Sequence, residues 1–196
     1  MTEERASPFK KPQDRQASVN SRMRPPQLFL GLEWILATMF SSAIGTALTA
    51  FTVAFWHYKV VIGWTITGVL VGSAQWLVLR QKRRIGVGWV LASIVGYAVG
   101  GSILDMSLKA TSGIVGGTLS GASLGIALGL AQWIILRLRV SGAGWWILSN
   151  ALGWGVGWAA GQIAYQQLGI VGGLTIPGAI SGAITGASLL ELLRRS

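Results

Sequence analysis

The chain has 196 residues, of which 52% are apolar and only 11% charged, with a net charge of +10 and no cysteine. Soluble domains carry about 25% charged residues, so a water-exposed surface around the whole chain is excluded; so are disulfides, thiolate metal sites and cysteine nucleophiles. The positive charge sits in a terminal stretch and in short connections between apolar runs rather than along one face, which argues against a phosphate groove and nucleic acid as a partner.

Residues 1–27 come first: polar, with Arg5, Lys10, Lys11, Arg15, Arg22 and Arg24 and no early apolar core. They lack the pattern of a signal peptide and read as a disordered basic cytoplasmic tail. The remainder, 28–196, reads as one transmembrane domain. Six apolar runs follow, at 28–56, 60–79, 87–108, 113–136, 145–164 and 169–190. Each reaches the roughly 20 residues that a helix needs to cross about 30 Å of hydrocarbon. The first is long enough to tilt or to bend near Ser41–Ser42. Continuous apolar runs exclude β-barrel strands, which alternate.

Lys and Arg orient the spans. Fourteen fall on the side of the tail: six within it, Arg80, Lys82, Arg83 and Arg84 after the second run, Arg137 and Arg139 after the fourth, and Arg194 and Arg195 at the end. Only Lys59 and Lys109 fall on the other. Both termini are therefore expected in the cytoplasm, with the chain in a bacterial plasma membrane or a thylakoid membrane.

The runs repeat. Gly72-Ser-Ala-Gln75-Trp76-Leu-Val-Leu-Arg80 returns 57 residues later as Gly129-Leu-Ala-Gln132-Trp133-Ile-Ile-Leu-Arg137. At the same offset Trp89-Val-Leu-Ala-Ser-Ile-Val-Gly96-Tyr97 returns as Trp146-Ile-Leu-Ser-Asn-Ala-Leu-Gly153-Trp154, and Trp34-Ile-Leu-Ala-Thr precedes Trp89 by 55. Gly178, Gly182 and Gly186 follow Gly121, Gly125 and Gly129, again by 57. The expected fold is therefore all-α integral membrane, six transmembrane helices arranged as three hairpins over about 28–84, 85–141 and 142–196. Units of two spans share one orientation, which makes a parallel repeat and weighs against an inverted-repeat transporter.

Small residues recur every fourth position: Gly45; Gly68 and Gly72; Gly96 and Gly100; Gly121, Gly125 and Gly129; Gly153, Gly157 and Gly161; Gly178, Gly182 and Gly186. Residues four apart share a helix face, and a line of small side chains lets helices approach closely in lipid. These ladders predict tight packing, with a narrow pore as the alternative.

Few residues suggest chemistry. Trp34, Trp76, Trp89, Trp133, Trp145 and Trp146 fall near the inner ends of spans and Trp56 near an outer end, an aromatic belt at headgroup depth. Trp64, Trp154 and Trp158 fall deeper and fill space or face lipid, with stacking on a ring-bearing ligand the alternative. Glu33, Asp105 and Glu191 are candidate buried charges with basic neighbours: Arg80 for Glu33, Lys109 for Asp105, Arg194 and Arg195 for Glu191. Gln75, Gln132 and Asn150 are candidates for interhelical hydrogen bonds or for the polar lining of a path. His57 is a weak candidate for holding a pigment, chlorophyll or carotenoid; no cofactor, metal or catalytic residue is otherwise expected.

The Ala-Gln-Trp-(Leu/Ile)-(Val/Ile)-Leu-Arg runs at 74–80 and 131–137, with Gly-Trp-Trp-Ile-Leu at 144–148, carry a resemblance. Over about residues 30–195 the chain resembles Gly/Trp-rich multi-pass membrane proteins found, largely in cyanobacteria, as uncharacterised products; the resemblance implies the membrane setting and no activity. The expectation is a non-enzymatic accessory, assembly or stabilising component of a larger membrane complex, whose partners are the bilayer and other membrane proteins or further copies of itself. A small channel or transporter for a neutral or weakly charged solute is the alternative, and a pigment-binding accessory protein the third.

Overall fold

A computed structural model describes residues 25–55, 60–82, 85–111, 113–140 and 142–194. The tail, Trp56, His57, Arg83, Arg84 and Arg195, and what was expected of them, lie outside the described residues. Every element is α-helical: α1 (Pro25–Phe55), α2 (Val60–Lys82), α3 (Gly88–Ala110), α4 (Gly113–Leu136) and α5 (Trp145–Arg194). All five are long and apolar enough to cross a membrane.

Two expectations about the elements change. The long first run is one unbroken helix, although the Ser41 and Ser42 hydroxyls both bond to backbone carbonyls of the preceding turn, at Ala37 and Met39. The fifth and sixth runs form a single 50-residue element, and residues 165–168, expected to connect them, are helical. At about 1.5 Å per residue a straight rod of that length would reach about 75 Å. Instead it is two helical limbs joined at a kink, where Gly169 alone leaves helical geometry (φ 65, ψ −154). That combination is reserved for glycine. The second limb doubles back along the first: a Cβ at Gly153 would lie 3.2 Å from Ser181 Cα, and one at Gly157 would lie 3.1 Å from Pro177 Cα. Pro177, in the first turns of the returning limb, is buried in that contact. The other described turns also use left-handed glycines, Gly113 and Gly142, both at φ 72.

Each helix packs on its neighbours in the chain, and α1 packs on α5, so the array closes into a ring. Glycine makes every seam, and most ladders point the same way round. Gly45 meets Thr67 of α2; Gly68 and Gly72 meet Ile94 and Val90 of α3; Gly96 and Gly100 meet Leu128 and Leu124 of α4. Gly121, Gly125 and Gly129 meet Trp154, Asn150 and Ile147 on the first limb of α5. Gly178, Gly182 and Gly186 on the second limb meet Met39, Ile35 and Trp34 of α1. The separations leave no room for a side chain: a Cβ at Gly96 would stand 2.7 Å from Leu128 Cα, and one at Gly182 would stand 3.0 Å from Ile35 Cα.

The opposite face of each helix is apolar and uncovered. On α3, Leu91, Val95, Val99 and Ile103 are exposed one turn apart; on α1 the exposed stripe includes Phe29, Leu36, Phe40, Ile44, Leu48 and Phe55. Small and polar groups face inward and branched aliphatics outward, the reverse of a water-soluble bundle. The interior hydroxyls are accommodated by their own helices, as Thr49 donates to the Gly45 carbonyl at 2.9 Å and Ser93 to the Trp89 carbonyl at 2.9 Å.

Candidate functional site: the centre of the ring

Trp34, Trp89 and Trp146 come from α1, α3 and the first limb of α5, and all three are fully buried. The backbones of α1 and α3 make no direct contact, so these rings meet across the middle. They pack edge to face, with centroids 6.1 Å apart for Trp34–Trp89, 5.9 Å for Trp34–Trp146 and 5.7 Å for Trp89–Trp146. Offset and perpendicular contacts of this kind are the favoured geometry for aromatic pairs. Leu30, Val78, Leu79, Leu136, Leu189 and Leu192 pack around them at the end of the ring that carries Arg80, Arg137 and Arg194.

These three were expected in a headgroup belt; they are core instead. A span-end position in sequence gives depth but not facing, and all three occupy the inward face. Of the six assigned to that belt, Trp145 is the exposed one (64%). Trp76 and Trp133 are half-buried, with the Arg80 and Arg137 guanidinium groups above them, 5.0 and 4.9 Å from the ring centroids. Each Arg covers the ring one turn before it, a cation–π contact.

Every indole N–H of the central trio has an acceptor. Trp89 Nε1 donates to Gln75 Oε1 at 3.2 Å, Trp146 Nε1 to Gln132 Oε1 at 2.9 Å and Trp34 Nε1 to Thr185 Oγ1 at 3.0 Å. The amides then link the helices further. Gln75 Nε2 donates to Thr38 Oγ1 at 3.1 Å, while Gln132 Nε2 donates to Ser93 Oγ at 2.9 Å and, at 3.3 Å, to Gln75 Oε1. Asn150 Nδ2 turns back to the Trp146 carbonyl at 2.9 Å. Gln75, Gln132 and Asn150 are thus brought to one level and are all buried, but they line no path: their polar atoms bond to one another and to neighbouring helices above a plug of three indoles. Thr185 is the member of this network that sequence reasoning missed.

A second aromatic cluster fills the other half of the ring. Tyr97 stacks on Trp64 (6.4 Å) and meets Trp154 edge-on (5.9 Å), with Leu104, Leu124 and Leu128 around them and Trp158 alongside. Here the donors have no acceptor: Trp64 Nε1, Tyr97 Oη and Trp158 Nε1 are buried without a partner.

The three carboxylates are not buried charges. Glu33 and Glu191 are exposed and Asp105 is half-exposed, because all three sit toward helix ends on outward faces. Asp105 pairs with Lys109 at 2.7 Å and Glu191 lies 3.8 Å from Arg194. Among the described residues Glu33 makes no ion pair, and Arg80 lies over Trp76 instead. Among the described residues no three His, Asp or Glu side chains gather to hold a metal.

A ring of long apolar helices with an aliphatic exterior fits an integral membrane protein. No protein-family model, curated protein or solved structure matches the chain, so its own geometry carries the reading.

Proposed function

We propose that the chain is a six-span, non-enzymatic membrane protein: a closed, rigid ring of three hairpins that acts as an accessory, assembly or stabilising component of a larger membrane complex. The observation that carries this is the plugged centre. Trp34, Trp89 and Trp146 occupy the axis with their N–H groups bonded within the protein, which favours a scaffold over a conduit. What the ring offers to a partner is its outer surface.

The hairpins are α1–α2, α3–α4 and the two limbs of α5, and the contacts themselves support the repeat. Advancing Gly45–Thr67 by 55 and 57 residues gives Gly100–Leu124, and advancing that pair by 57 and 53 gives Gly157–Pro177; all three are observed contacts. The seams between hairpins follow suit: Gly68–Ile94 becomes Gly125–Ala151 and then Gly178–Met39. The last limb is thus offset by 53 residues, not the 57 suggested by its glycines, because a ladder with a step of four looks the same after sliding one turn. In this register Gln75, Gln132 and Thr185 are equivalent, and so are the Trp89, Trp146 and Trp34 bonds to them. The excess of Lys and Arg at the end where α2 and α4 finish supports cytoplasmic termini.

Isolation from native membranes in mild detergent after in-membrane crosslinking, with mass spectrometry of what accompanies the chain, tests the reading. A reproducible membrane partner or a defined oligomer is expected. A monomer that crosslinks to nothing overturns it.

A further inference from the structure

The two halves of the ring treat the same chemical group differently. At the arginine-rich end all three buried indole N–H groups are bonded; in the other half Trp64, Trp158 and the Tyr97 hydroxyl are not. A buried donor without an acceptor costs about 1–3 kcal/mol, and three in one cluster is a concentration that a packed core avoids. That half also holds a cavity of about 330 Å³ between α1 and the two limbs of α5, walled by Thr46, Trp158, Gln162, Tyr165, Ile170 and Leu174. Trp158 belongs to both: it walls the cavity and packs against the cluster of Trp64 and Tyr97.

We infer that this cavity binds a neutral, flat, membrane-soluble ring bearing a carbonyl, with Trp158 Nε1 and the Gln162 amide as donors to the carbonyl oxygen. The chemistry of the lining selects that class. Indole offers only a donor, so the ligand supplies an acceptor. No charged side chain lines the cavity, so the ligand is neutral. The walls are mostly apolar, with Trp158 and Tyr165 aromatic, which suits a flat ring. The volume sits at the small end of the roughly 300–1,000 Å³ typical of ligand pockets, which limits the body to about two fused rings. The inference is independent of the scaffold reading, since a partner on the outer surface and a ligand inside the ring are read by different measurements.

Menadione, a two-ring quinone, is the probe, and 2-methylnaphthalene, the same skeleton without carbonyls, is the control. The full chain in nanodiscs carries 15N-indole tryptophan, with the Trp158→Phe spectrum assigning its peak. Because the chain has no cysteine, the quinone has no thiol to alkylate. Menadione is expected to move the Trp158 indole peak downfield in a saturable way while the Trp89 and Trp146 peaks stay in place. The control is expected to leave all three unmoved. Trp158→Phe is expected to weaken menadione binding about tenfold, one neutral hydrogen bond; Gln162→Leu, read by the Trp158 peak itself, is expected to weaken it by a similar factor. An unmoved Trp158 peak up to the solubility limit overturns the inference. So does an equal shift with the control, or a Trp158 N–H that cross-relaxes with water and ignores both compounds, since bridging water would then be the acceptor.

Discussion

At the seam between α2 and α3, Trp64 lies against Gly101; two seams on, between α4 and the first limb of α5, Trp158 lies against Gly121. In the proposed register Trp64 is equivalent to Gly121 and Gly101 to Trp158, so the two seams hold the same large–small pair the opposite way round. A swap, Trp64→Gly with Gly101→Trp, therefore rebuilds at the first seam a pairing the protein already uses. Worked singly, the changes are costly. Trp64 is 4% exposed, so its removal costs about 3–5 kcal/mol as a cavity, with about 1 kcal/mol more for glycine within a helix. At Gly101 even a Cβ would stand 2.8 Å from Trp64 Cδ1, and a full indole overpacks the seam by about 3 kcal/mol or more. Independent effects would sum to about 7 kcal/mol. The swap is expected to recover about 4 kcal/mol of that as coupling between the sites. Unfolding of the four proteins in mixed micelles, followed by far-UV circular dichroism as sodium dodecyl sulfate rises, gives the double-mutant cycle. A swapped protein no more stable than the sum of the singles would refute the equivalence of the two seams.

Three further expectations follow from the same geometry. Leu189→Gln places an amide where a 57-residue offset would complete the polar network; with Thr185 in that place, the new amide is buried without partners and costs about 1–3 kcal/mol, read in the same titration. Gly169→Ala puts a Cβ on a backbone with φ 65 and ψ −154, which costs about 1–3 kcal/mol, whereas Gly144→Ala, whose Cβ would meet no atom within 4 Å, is expected to change stability by less than about 0.5 kcal/mol. Proteoliposomes holding the chain are expected to shrink in hyperosmotic glycerol or urea and recover no faster than empty vesicles; accelerated recovery would reopen the conduit.

Much of the scaffold is visible in the sequence because lipid imposes simple rules: long apolar runs, basic connections and glycine every fourth residue. The ends of α2, α3 and α4 fall close to the expected ones for that reason. Facing is less legible. Trp145 and Trp146 are adjacent and equally deep, yet one is exposed and the other is in the central trio, since consecutive residues on a helix point about 100° apart and an apolar solvent gives no amphipathic contrast to tell inward from outward. Thr185 was hidden for a different reason: the step-of-four ladder on the last limb fits two registers, and only the Trp34 bond selects one. The orphaned donors of Trp64 and Tyr97 carry no sequence signal at all, because an unsatisfied group is a property of its surroundings.

The ladders that point the same way around the ring have one more consequence. Each hairpin offers glycines to the hairpin that follows it and receives those of the one before, a head-to-tail contact that closes on itself at the third copy. Where the backbone is cut then matters little to the finished ring. A chain begun at residue 85 or 142, with 194 joined to 25 by a flexible linker, would present the same seams in rotated order, and a single hairpin synthesised apart would have both faces open and be driven to find two others. The order of the hairpins along the gene is, in that sense, a record of how the ring was duplicated rather than a requirement for assembling it.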